Sequence, residues 1–137
     1  MNKKITVVFV LVFLSVCANA LNWHSIKEME HSTEAKTKPV MVVVYKEGCP
    51  YCERLHDIME SNQLVNSVAG DFYLVSIDVK DAQKNYGAII KKTPTVIFIN
   101  SKREEIVPQI EGLPADTLEF VEYMQKAKVI YSIQQNK

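Results

Sequence analysis

Val40-Met41-Val42-Val43-Val44-Tyr45-Lys46-Glu47-Gly48-Cys49-Pro50-Tyr51-Cys52 holds a strand, a loop and the start of a helix in thirteen residues. A continuous apolar run rich in β-branched residues, as in Val40–Tyr45, suits a strand buried on both faces, the environment of a parallel sheet. Lys46-Glu47-Gly48 reads as a loop, and Cys49-Pro50 opens a helix with proline at its favoured first position. Cys52, Leu55, Ile58 and Met59 then recur at helical spacing, with Glu53, Arg54, Asp57 and Glu60 on the opposite face. Residues 72–78 are a second strand. Strand, helix and strand in forty residues make a βαβ unit, expected as a right-handed crossover between parallel strands.

Upstream, residues 21–38 carry Trp23, Ile26 and Met29, with Glu30 and Glu34 facing out. This spacing predicts an amphipathic helix ending near Lys38-Pro39, because a residue before proline avoids the α region. Downstream, residues 82–90 predict a short, irregular helix weakened by Gly87. Thr95–Ile99 is another buried strand, and residues 100–103 form a turn. Residues 104–110 return as an edge strand, where Pro108 does no harm. Gly112-Leu113-Pro114 breaks the chain before a last amphipathic helix with Leu118, Val121 and Met124 on its apolar face. Residues after Tyr131 are expected to fray. No internal repeat is visible.

The composition is that of one globular domain: 137 residues, 47% of them apolar and 23% charged. Sixteen Lys and Arg balance sixteen Asp and Glu, so a nucleic-acid partner, which would need a clustered basic surplus, is not expected. The first twenty residues read as an address. Met1-Asn2-Lys3-Lys4 is a positive head, residues 5–17 are uncharged, and Ala18-Asn19-Ala20 is a small-x-small cleavage signal with Leu21 as the new N-terminus. The uncharged run falls short of the roughly 20 apolar residues of a spanning helix. Lipidation at Cys17 is disfavoured by Val16, since a small residue is wanted there. Cleavage removes two lysines and Cys17, leaving 14 bases against 16 acids and only Cys49 and Cys52, in a compartment where disulfides persist. The domain is then residues 21–137, and the expected location is the periplasm.

Two cysteines three apart, the first at a helix N-terminus, can close into a disulfide with little backbone motion. The helix end presents about half a positive charge and unpaired N–H groups. A thiolate there is stabilised, so Cys49 is expected to ionise below the free thiol value. Cys49 is accordingly the attacking sulfur and good leaving group, and Cys52, one turn in and shielded, resolves the mixed disulfide. A structural staple is the first alternative. Closing four residues stabilises by only about 2 kcal/mol, against nearly 5 for a 100-residue loop. A metal site is the second, but structural zinc takes four ligands, and His24, His31 and His56 lack the paired spacing to complete one. Structural roles are assigned to all three histidines, and no metal is expected.

The strand Val40–Tyr45, the Cys49-Pro50-Tyr51-Cys52 helix start and Thr93-Pro94 before the next strand together resemble the thioredoxin superfamily, over residues 22–130. The leading segment with Trp23 is similar to that of secreted bacterial thioredoxin-like proteins, which serve as periplasmic thiol:disulfide reductases. The resemblance implies an α/β fold with a central mixed sheet flanked by helices, and an N-terminal helix before the first central strand. It implies that Pro94 is a cis-proline beside the cysteines and that Thr93 offers its backbone to an extended substrate segment. Pro50 and Tyr51 border the substrate, and Gly112 stands where a small residue lets the substrate chain approach.

Two departures from the family pattern matter. Gly48 replaces the tryptophan that many members carry before the first cysteine. Val43 replaces the buried acid of the first central strand, leaving proton transfer at Cys52 to water or another group such as Glu47. Pro50-Tyr51 is the glutaredoxin dipeptide, but the glutathione-holding residues of that family are not visible after Pro94. On the dipeptide, the potential falls near −200 to −230 mV, about 4–5 kcal/mol more reducing than the strong periplasmic oxidant near −120 mV. A reductase or exchange protein is expected, acting on protein thiols and disulfides as a monomer, resupplied by a membrane electron donor and needing no cofactor. The rivals are a disulfide oxidant on the same fold, a copper-binding module using both thiolates and a structural adaptor.

Overall fold

The computed structural model describes residues 19–137; residues 1–18, with most of the expected leader and Cys17, lie outside the described residues. Five strands form a mixed sheet: β1 (Trp23–His24), β2 (Val40–Tyr45), β3 (Tyr73–Asp78), β4 (Thr95–Ile99) and β5 (Glu105–Glu111). They lie in the order β1-β3-β2-β4-β5. β1 and β2 run parallel to β3, and β4 is antiparallel to both β2 and β5. Among the described residues, five helices cover the sheet: α1 (Ile26–His31), α2 (Pro50–Ser61), α3 (Gln63–Ala69), α4 (Val79–Tyr86) and α5 (Thr117–Gln135).

Central β2 explains its own apolar run, since successive side chains of a strand point to opposite faces. Met41 and Val43 enter one core with Leu55 and Met59 of α2, Val65 of α3 and Phe120 of α5. Val40, Val42 and Val44 enter a second core with Met29 of α1 and Ala82 of α4. Both layers must be apolar, so the strand has no polar position until it emerges at Tyr45.

The expected helix over 21–38 is not continuous. Trp23 and His24 pair as a short strand with Leu74 and Val75, and the helix begins only after Ser25. The Ser25 hydroxyl accepts the Glu28 N–H at 3.1 Å while the Glu28 carboxylate accepts the Ser25 N–H at 2.6 Å. This reciprocal capping box starts α1, which lasts six residues before a 3₁₀ turn over Glu34–Lys36. Met29 is buried as its spacing required, whereas Trp23 belongs to the strand β1 and not to the expected helix.

Helix α3 was not anticipated. Asn62 ends α2 and starts α3, its Oδ1 accepting the Leu64 and Val65 N–H groups. Helix α4 starts three residues earlier than expected, capped by Asp78, and stops at Gly87. On α5, Val121 and Met124 are buried as expected and share the buried stripe with Phe120, Ala127 and Tyr131, whereas Leu118 is 60% exposed. The helix continues to Gln135 rather than fraying after Tyr131. β5 is an edge strand, as expected, with Pro108 exposed within it.

Candidate active site

Helix α2 carries the dithiol, and its first turn shows why. Cys49 has an extended conformation, φ −92° and ψ 108°, and acts as the N-cap, with Pro50 in the first turn. Its carbonyl accepts the N–H groups of Cys52 (3.1 Å) and Glu53 (3.2 Å). Its sulfur accepts the Cys52 N–H at 3.2 Å, in the place where a cap oxygen ordinarily sits. A disulfide joins Cys49 to Cys52, with Cα atoms 5.3 Å apart. Gly48, just before the cap, has φ +70°. A Cβ there would touch nothing within 4 Å, so the left-handed backbone rather than crowding favours glycine.

The loop before β4 reaches the same sulfur. The Thr93 hydroxyl donates to Cys49 Sγ at 3.5 Å, and the Thr93 carbonyl oxygen lies 3.6 Å from it. The Thr93–Pro94 peptide bond is cis. Pro94 is buried, and its carbonyl accepts the Gly112 N–H at 2.8 Å, tying this loop to the end of β5. Gly112 has φ +84°, and the nearest atom to a Cβ there would be Lys92 Cδ at 3.9 Å. Residues 44 apart in sequence are thus brought to one sulfur, a juxtaposition that spacing alone could not supply. Tyr51 is 63% exposed beside it.

A cleft of about 410 Å³ opens beside the disulfide, lined by both cysteines, with Trp23, Val43, His56, Met59 and Ser76 among its walls. Val43 lines the cleft with Cys52 and is in register with Ser76 of β3. Glu47 and Glu53 also line it. The Trp23 ring meets His56 edge-on at 6.0 Å, and its Nε1 donates to Glu60 Oε1 at 3.0 Å. Trp23 was the wall residue that sequence reasoning missed, because a two-residue strand leaves no periodicity to detect. His24 stacks on Tyr73 at 4.2 Å, and His31 closes the last turn of α1. Among the described residues no group of three or more His, Cys, Asp or Glu side chains could hold a metal ion.

Comparison with known proteins agrees with this geometry. The family model described as a thioredoxin-like domain matches residues 26–128. Among solved structures, one described as the DsbH oxidoreductase is similar at a TM-score of 0.65 and 18% identity, over 84% of this chain and 89% of that one. A thioredoxin from Thermus thermophilus is similar at 0.65 and 23% identity, over 82% and 91%. A thioredoxin-fold protein from Helicobacter pylori is similar at 0.56 and 13% identity, over 83% and 89%. No curated protein matches the chain by sequence. With the family matched over β2 to β5 and a Cys-x-x-Cys pair at bonding distance on the first long helix, the chain belongs to the thioredoxin-like family and is a thiol:disulfide oxidoreductase.

Proposed function

We propose that the protein works in the periplasm as a reductant or exchange protein for protein disulfides, with Cys49 attacking and Cys52 resolving. The observation that carries this reading is the setting of Cys49 Sγ, which receives an N–H from the helix start and a hydroxyl from Thr93. Both donors stabilise a sulfur anion. The Cys49 thiolate attacks a substrate disulfide, and one substrate sulfur leaves as a thiolate. Cys52, deprotonated to the water of its cleft, then attacks Cys49. The second substrate thiolate departs, leaving the Cys49–Cys52 disulfide and two electrons on the substrate. Re-reduction falls to a membrane electron donor. Thr93, Pro94, Pro50 and Tyr51 border the attacking sulfur and receive the substrate as an extended segment of a monomeric enzyme.

The test is the Cys49–Cys52 equilibrium potential in glutathione buffers, on residues 21–137. A potential near or below about −200 mV is expected, and one above about −150 mV would make the protein an oxidant. Cys49→Ser abolishes insulin reduction, and Cys52→Ser accumulates mixed disulfides visible by mass spectrometry. Full turnover by Cys52→Ser would remove its resolving role. Stoichiometric Cu(I) binding with no disulfide reduction would replace this reading with a metal-carrying one.

A further inference from the structure

Glu60 sits at the end of α2 and uses both carboxylate oxygens on the N-terminal segment. Oε1 accepts the Trp23 indole N–H at 3.0 Å, and Oε2 accepts the backbone N–H of Leu21 at 3.2 Å. Leu21 is the residue that cleavage after Ala20 would make the N-terminus. In the uncleaved chain its nitrogen is a neutral amide with one proton to donate. After cleavage the same nitrogen is an α-ammonium group with a full charge and three protons, already within ion-pair distance of a carboxylate. A charge-assisted contact of this kind is shorter and about twice as strong as a neutral one.

We infer that leader removal builds an ion pair between the Leu21 α-ammonium and Glu60, which holds Trp23 as a wall of the Cys52 cleft. The inference rests on the proposed export reading. Glu60 is a positioning residue: it touches neither sulfur and acts through Trp23, which lines the cleft with Cys52. Among the described residues, all five strands and five helices lie within residues 21–137. Cleavage does remove the Asn19 carbonyl, which accepts from the buried Asn66 amide at 2.8 Å. That amide keeps the Met59 carbonyl at 3.1 Å and the Glu60 carbonyl at 3.5 Å. The segment is therefore transferred from a neutral anchor outside the mature chain to a charged anchor within it.

Other charged groups near Leu21 compete little. Glu34 and Lys38 pair with each other at 2.7 Å, and Asp71 pairs with Lys128 at 2.5 Å. His24 is stacked on Tyr73, and His56 meets Trp23 rather than Leu21. An amine that gains a carboxylate partner on folding has its pKa raised above the free α-amino range of about 7.7–8.0. Its contribution is complete below that range and is lost as pH rises through the folded value.

The experiment is a cycle of four chains, beginning at Leu21 or at Asn19, each with Glu60 or Glu60→Gln. The Asn19 chains keep a neutral amide at residue 21. At pH 6.5, Glu60→Gln is expected to lower Tm by about 2–5 °C more in the Leu21 chain than in the Asn19 chain. That excess should vanish by about pH 9.5, as the α-amine loses its proton. Equal shifts in the two chains, or an excess that persists at high pH, would overturn the ion pair. Intact mass of the exported full-length protein tests the leader independently, with Leu21 as the expected first residue. Any other N-terminus refutes the export reading, and with it the pair in the cell; equal melting shifts refute the pair with the leader intact.

Discussion

Cys49 performs two tasks with one atom: its sulfur caps the helix that carries it and is one of the two redox sulfurs. The Cys52 N–H at 3.2 Å and the Thr93 hydroxyl at 3.5 Å converge on it from different elements. If the hydroxyl stabilises a thiolate, removing it at constant shape raises the Cys49 pKa. Thr93→Val is therefore expected to shift the thiolate titration followed at 240 nm to higher pH, with the fold retained by circular dichroism. An unchanged titration would assign the anion's stability to the helix start alone. The residue identities here were legible in the sequence, because a Cys-x-x-Cys with proline at a helix start admits few other uses. The contact with Thr93 was not legible from spacing. It depends on the antiparallel register of β4 against β2, which places Thr95 opposite Val44 and so sets the preceding loop beside the start of α2.

Among the elements, α1 shows local chemistry overriding a hydrophobic pattern. Apolar residues at Trp23, Ile26 and Met29 read as one helix, but the Ser25–Glu28 capping box starts it later and leaves Trp23 and His24 to the sheet. The Ser25 backbone N–H, and secondarily its hydroxyl, hold the Glu28 carboxyl below the usual carboxylate range. A carboxyl with a depressed folded pKa contributes above its unfolded value, about 4.3, and loses that contribution as pH falls through the folded value. Glu28→Gln should then lower Tm at pH 7, with the difference from the parent protein closing as pH falls through the folded value. A constant difference across that range would mean that the glutamine amide replaces the cap or that the charge does nothing. Helix α3 makes the complementary point. Asn62 ends one helix and caps the next, so the joint is a single residue with no glycine or proline to announce it.

The whole molecule is a sheet with two unlike cores. The face toward α2, α3 and α5 is the larger and supports the helix that bears the cysteines, through Leu55 and Met59. Phe98 of β4 is fully buried there and packs against Phe72 at a centroid distance of 5.6 Å. Phe98→Ala is predicted to cost about 3–5 kcal/mol, a large share of the about 5–15 kcal/mol typical of a domain. Urea melts of the oxidised protein should show this as a lower midpoint with an unchanged slope. A loss under about 1 kcal/mol would indicate that the core collapses around the gap instead of leaving a cavity.

Local sequence was enough to specify the three long core strands, the helix start at Cys49-Pro50 and the redox pair, because each is written in neighbouring residues. Burial on both faces writes itself as a continuous apolar run, and capping as a residue type at one position. The rest came from long-range strand pairing. It assigned Trp23 to an edge strand, brought Thr93 to Cys49 across 44 residues, and opened the cleft beside Cys52 where Val43 and Ser76 lie side by side. These depend on which strands pair and in what register, and pairing energy is gained between residues far apart in the chain, where no local pattern records it.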